Sequence, residues 1–238
     1  MNNVETFYDR INAADPDRLR AAWLADKTGR QRLMWIYAFH LELAKVPEIV
    51  SESMIGDIRY QWWRDAAEEI YAGGKVRTHE VTTPLTGVLR EAEVPRFWVD
   101  RLINGRNRDL DPAPFQDIEA ARDYCRQTSG VLMQIAAKCL SDDFDAELVM
   151  KAGEAWGLAG LCRAYGYYHG SMLSNIAFET LLAATREAHA AAAKTAIPAG
   201  IMPACAYTGL VPLFFKKMSK PGFDPKSEHA VISPLAKQ

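Results

Sequence analysis

The sequence predicts an all-α, single-domain protein, and three observations carry that expectation. Apolar residues recur at the three-and-four spacing of a buried helix face along almost the whole chain. Alternating apolar and polar runs of strand length are missing. Helix punctuation stands at the ends of the periodic stretches, as at Asp15-Pro16 and Gly73-Gly74.

The elements follow in order. Asp15 supplies a capping carboxylate and Pro16 a backbone φ already suited to the first helical position, so a helix opens there and runs to about Asp26. A second spans about 30–50. Leu33, Ile36, Tyr37, Leu41 and Ala44 keep helical spacing, and Pro47 kinks or ends it. Ser51 and Glu52 start a third, which holds Met54, Ile58, Trp62 and Ile70 and stops at Gly73-Gly74. Further helices fit 81–92, 95–104, 114–139, 144–168 and 174–195.

The stretch 197–215 carries no charge, but Pro198, Pro203 and Pro212, with Gly200 and Gly209, interrupt it. That reads as a buried core helix ahead of a membrane span. Lys216, Lys217 and Lys220 then form a solvated helix end, with contact at a membrane surface as the alternative. The clear breaks are the loop around 111–114 and an irregular tail at about 221–238. No repeat or linker divides the chain, so one domain covers 1–238.

Composition narrows the function. The 238 residues are 49% hydrophobic and 24% charged, with a formal net charge of -2. This excludes a disordered chain and argues against a nucleic-acid binder, which needs a basic excess. Cys125, Cys139, Cys162 and Cys205 are far apart, without zinc spacing, and read as reduced, buried thiols of a cytoplasmic protein. The start, MNNVETFYDR, has acidic residues and no apolar core of a signal peptide. The five histidines are scattered, and neither a P-loop nor a GxGxxG occurs.

The densest polar-aromatic segment is Tyr37-Ala-Phe-His-Leu-Glu42, continuing to Gly56-Asp-Ile-Arg-Tyr-Gln-Trp-Trp-Arg-Asp65. With Asn104-Gly-Arg-Asn-Arg-Asp109, Asp123-Tyr-Cys-Arg-Gln-Thr-Ser-Gly130 and Trp156-Gly-Leu-Ala-Gly-Leu-Cys-Arg163, in that order, it resembles the squalene/phytoene synthase family over about residues 18–235. The resemblance implies a helical barrel of the isoprenoid synthase type. It also implies head-to-head condensation of prenyl diphosphates, with Mg²⁺ held between two aspartate-rich motifs. Carboxylates three or four apart share a helix face and suit that ion.

At those motifs this chain departs. The first falls on Ala44-Lys-Val-Pro-Glu48, where Glu48 is the one carboxylate and Lys45 brings a positive charge. Glu42 lies about 240° around the helix from Glu48 and does not complete a cluster. The second falls on Arg163-Ala-Tyr-Gly-Tyr-Tyr168, which keeps the arginine and lacks both aspartates.

The degenerate pattern resembles the branch that contains the mitochondrial complex I assembly factor and its bacterial relatives. That implies a binding or assembly factor, with respiratory-complex subunits as partners and peripheral contact with the inner face of a membrane; a further reading is a carrier that keeps the apolar barrel for an isoprenoid or lipid ligand and has lost turnover. No cofactor is expected. The alternative is an active prenyltransferase, which alone would require Mg²⁺. Candidate ligand-binding residues are Tyr37, His40, Glu42, Glu48, Arg59, Trp62, Arg64, Arg163 and Tyr168, with no metal ligand assigned. Asp57 and Asp65 are expected to pair with Arg59 and Arg64. Trp62 and Trp63 are expected to pack in the core, and Arg163 to form a buried salt bridge.

Overall fold

The computed structural model describes residues 3–230 and 232; the end of the expected tail, 233–238, lies outside them. Among the described residues every regular element is helical.

Asn3–Ala14 forms α1, a helix that the sequence reading left out, and Phe7 meets Trp35 edge to face at 5.4 Å. Helix α2, Pro16–Ala22, opens as expected, with the Asp15 side chain accepting from the Arg18 amide. It ends well before Asp26, because that carboxylate accepts the Gly29 amide at 2.7 Å and caps the next helix, α3 (Lys27–Ala44). The single helix expected over 30–50 breaks at Lys45. A short turn, α4 (Val46–Ile49), follows with Pro47 in its first positions, where a missing N–H is harmless. Helix α5 (Ser53–Ala72) stops at Gly73, whose φ of 79° is the left-handed cap that glycine tolerates.

Helices α6 (Thr82–Glu91) and α7 (Arg96–Asn107) follow, the latter running into a 3₁₀ turn at Arg108–Leu110. The expected helix 114–139 starts later and changes pitch. Asp117 caps α8 (Ile118–Cys125), a π turn covers Arg126–Gly130, and α9 is Val131–Lys138. Asp145 caps α10 (Ala146–Arg163), which ends at Ala164 instead of reaching residue 168; α11 (Tyr165–Tyr168) is a separate turn. Helix α12 is Phe178–Ala192.

The interrupted core helix expected over 197–215 is four pieces: a 3₁₀ turn at Ala199–Ile201, α13 (Met202–Cys205), a second 3₁₀ turn at Ala206–Leu210, and α14 (Val211–Met218). Pro203 and Pro212 each fall at the start of an α piece, so the prolines set the breaks. Residues 199–218 are long and apolar enough to cross a membrane by length and composition, while 44% of their most apolar window is buried inside the protein.

Helix α10 is the hub. Val149, Ala152, Ala155, Leu158, Ala159 and Cys162 are buried on several of its faces, against α8, the π turn, α9, α12 and α14. The approach to the π turn is backbone on backbone: a Cβ on Gly153 would sit 2.5 Å from the Gly130 Cα. Beside it, buried Glu154 accepts from Arg122 Nε at 2.8 Å and Arg126 Nε at 2.9 Å, which balances its charge where α8 and the π turn cross α10. The four cysteines are buried free thiols, and burial pushes Cys139, Cys162 and Cys205 up to about 12.

Candidate functional site

A polar seam runs through the protein between α2, α3, α7 and the segment before α14. At one end buried Arg18 pairs with Asp15 and donates from Nε to the Tyr207 hydroxyl at 3.3 Å. Burial opposes the Arg18 charge, but Asp15 and Tyr207 outweigh it and raise the guanidinium pKa. Tyr37 on α3 is buried against this pair; desolvation first, then Tyr207, keeps its hydroxyl protonated well above the usual range.

One turn further along α3, His40 meets the other end of the seam. Arg106 Nη2 lies 3.3 Å from His40 Nε2, and Arg106 Nη1 donates to Asp109 at 3.1 Å and to the Tyr124 hydroxyl at 3.0 Å. Tyr124 in turn donates to Asp109 at 2.6 Å. Burial, then the Arg106 and Arg18 charges, hold the His40 pKa well below the imidazole range, so the ring is neutral. A guanidinium can only donate, so Nε2 accepts and the ring proton sits on Nδ1. Nδ1, the Tyr37 hydroxyl and Arg106 Nε are buried polar atoms without hydrogen-bond partners among the described residues. The seam therefore holds two carboxylate-balanced arginines around a neutral imidazole.

The other predicted residues fall elsewhere. Glu42, Arg59 and Trp62 come together in a groove of about 280 Å³ between α3, α4 and α5, with Lys45, Ile49, Ile58 and His79. There the buried Glu42 carboxylate is taken by the Lys45 ammonium, with Arg10 at 3.9 Å. Glu48 is exposed at the edge, on α4. Arg64 lines a separate cleft of about 830 Å³ with Arg108, Phe115 and Tyr124, fixed by Asn104 at 3.0 Å and Asn107 at 2.7 Å. Tyr168, half-buried beyond α10, has its pKa raised by burial and then by Asp109.

Three expected pairings differ. Asp57 accepts from Asn107 at 3.0 Å instead of meeting Arg59. Asp65 accepts from Gln61 at 2.7 Å and faces Arg77 at 3.5 Å, because the turn after α5 brings Arg77 back along the helix. Trp63 is core as expected, but Trp62 is only partly buried and lines the groove.

Arg163 is the third. Its guanidinium lies over the Phe214 ring at 4.3 Å; burial lowers its pKa, with Asp17 and Asp15 opposing. A cation–π contact of this kind contributes about 0.5–2 kcal/mol. Arg163→Met, which keeps the packing and removes the charge, is therefore expected to cost about 1 kcal/mol, less than breaking a buried salt bridge. Chemical denaturation measures it, and a loss above about 3 kcal/mol would restore the salt-bridge assignment.

Sequence reasoning missed Arg18, Arg106, Asp109, Tyr124 and Tyr207 as site residues. The available signal was the i, i+3 spacing of Arg106 and Asp109, which places opposite charges on one face.

Comparisons with known proteins agree on this architecture. A sequence model of the squalene/phytoene synthase family matches residues 11–173. NADH dehydrogenase (ubiquinone) complex I, assembly factor 6, from Mus musculus is 29% identical over 133 residues, 55% of this chain and 40% of that protein. The Homo sapiens protein of the same name is 28% identical over 144 residues, 60% and 43%. The chain thus spans less than half the length of these curated relatives. A dehydrosqualene synthase crystallised with a ligand superposes with a TM-score of 0.78 at 14% identity, covering 99% of this chain and 92% of that one. Squalene synthase HpnC from Alicyclobacillus acidocaldarius gives 0.68 at 15% identity, covering 94% and 95%.

Proposed function

The chain belongs to the squalene/phytoene synthase family, and we propose that within it the protein works by binding, as an assembly factor for a respiratory NADH dehydrogenase, without prenyl transfer. The observation that carries this reading is the Lys45–Glu42 ion pair. It places an ammonium where the family resemblance puts a metal-binding carboxylate, and it occupies the one buried acid nearby. Magnesium needs several oxygen ligands on converging faces. Ala44, Lys45, Ala164 and Tyr168 offer no carboxylate, and no group of three or more His, Cys, Asp or Glu among the described residues could hold a metal ion. The residues present do not fit the Mg²⁺–diphosphate arrangement, so the electrostatic term that would stabilise a leaving diphosphate is lost.

The curated relatives named as complex I assembly factors support the direction of the reading. The apolar, basic-ended segment 199–218 is compatible with action at the inner face of a membrane by peripheral attachment.

Four measurements test the proposal. Purified protein is expected to release no diphosphate from farnesyl or geranylgeranyl diphosphate with Mg²⁺, and Mg²⁺ is expected to leave its melting temperature unchanged relative to monovalent salt of equal ionic strength. Turnover abolished by EDTA would overturn the non-catalytic half. Deletion in the source cell is expected to leave NADH dehydrogenase incompletely assembled, and normal assembly would overturn the other half. An isoprenoid recovered by solvent extraction of the purified protein would redirect the reading to a carrier.

A further inference from the structure

Four of the large apolar side chains that the protein leaves in solvent lie within ten residues of sequence: Ile49 is 49% exposed, Met54 67%, Ile55 40% and Ile58 64%. Their placement is ordered. On α5, Met54, Ile55, Ile58 and Trp62 fall within an arc about 100° wide, because residues four apart stack along one face. The stripe begins exposed at Met54 and descends to Trp62 in the 280 Å³ groove, whose opposite wall carries Ile49 from α4. A helix normally buries such a stripe against its own core. Here α5 buries a different face, through Tyr60, Trp63, Ala67 and Ile70, so among the described residues this second stripe packs on the core only at its Trp62 end.

The flanking charges indicate what covers it. Glu48 and Glu52 are exposed and enter no ion pair among the described residues, and Asp57 is met only by the neutral Asn107 amide. Against these three carboxylates stands Arg59, at the stripe's other edge, the one cation there without an ion-pair partner among the described residues. An anionic lipid surface would be repelled by this rim. A protein segment with basic flanks would be attracted to it.

We infer that the Met54–Ile58–Trp62 stripe and the α4–α5 groove form a docking site for a partner protein that lays the apolar face of a basic amphipathic helix into the groove. This is the helix-in-groove mode, read through anchors one turn apart. It rests on the reading of the chain as a binding factor and locates the surface that binds.

The test uses the whole chain and defined probes: a synthetic amphipathic helical peptide with a leucine face and lysine flanks, the same peptide with glutamate flanks, and phosphatidylglycerol–phosphatidylcholine vesicles. The lysine peptide is expected to bind. Ile58→Glu should weaken it about tenfold, as loss of one buried anchor does. The pair Glu48→Lys and Glu52→Lys should weaken it while strengthening the glutamate peptide. Met54→Ser, a milder change at an exposed position, provides a second reading with melting temperature as the folding control. Equal binding by parent and Ile58→Glu would overturn the site. Vesicle binding that depends on Ile58 would assign the stripe to lipid instead, and self-association lost in Ile58→Glu would assign it to a second copy. Because the probes contain no respiratory subunit, failure here leaves the assembly role standing, and failure of the deletion experiment leaves the groove standing.

Discussion

Replacing Gly153 by valine is expected to cost at least about 3 kcal/mol, whereas Gly160→Ala, two turns along the same helix, is expected to be neutral or stabilising by up to about 1 kcal/mol. The two glycines differ only in what faces them. A Cβ at Gly153 meets the Gly130 Cα at 2.5 Å and the Ser129 carbonyl oxygen at 2.7 Å, both backbone atoms that no rotamer change moves aside. At Gly160 nothing lies within 4 Å, so a methyl group gains helix propensity without a clash. For a chain of this size each kcal/mol corresponds to about 2–4 °C in melting temperature, so Gly153→Val should melt roughly 6–12 °C below the parent. Equal melting temperatures for the parent and Gly153→Val would mean that α10 and the π turn do not approach this closely in solution.

The same contact explains where sequence reasoning succeeded and where it did not. The opening of α2 at Asp15-Pro16 and the stop of α5 at Gly73 are local events, decided by a capping carboxylate and a left-handed φ within a few residues. They were legible. The π turn at 126–130 is not a local preference of Arg-Gln-Thr-Ser-Gly; it lies where Gly130 packs against Gly153, more than twenty residues away. Helix α1 was missed although Phe7 and Ile11 stand one turn apart, because a short amphipathic stretch gains most of its stability from the core it docks on.

The site divides the same way. Tyr37 and His40 were candidates because they stand in the polar-aromatic segment 37–42, and the structure places both in the seam. The groups around them come from distant positions: Arg106 lies 66 residues from His40, and the Arg18–Tyr207 pair beside Tyr37 spans 189. Arg163 was readable as a semi-buried charge needing compensation, but the ring of Phe214 that supplies it could only be found in space.

Removing Arg106 is expected to reveal the seam's electrostatics in two separable readouts. Its guanidinium, with 15% of the side chain exposed, is shared among Asp109, Tyr124 and His40. Arg106→Met leaves the 13%-exposed Asp109 carboxylate without its cation, and breaking such a pair is expected to cost about 3 kcal/mol at neutral pH. The second readout is the acid limb of stability. In the folded parent, His40 is held neutral by burial, by Arg106 and by Arg18, so its pKa is depressed. The unfolded chain titrates near about 6.5 and takes up the proton first. His40 therefore contributes stability that is present above about pH 6.5 and is lost as pH falls from there toward the depressed folded value.

Methionine at 106 removes one of the two positive charges that act on the ring. The folded pKa rises toward its ordinary value, and the His40 share of the acid-side slope shrinks. His40→Gln deletes that share and provides the zero against which the change is read. Denaturant titrations at pH values on both sides of 6.5 measure both effects. An Arg106→Met variant that is destabilised but keeps the parent's slope would show that burial and Arg18 depress His40 without help from Arg106. A variant of parental stability would show that Arg106 is not what neutralises Asp109.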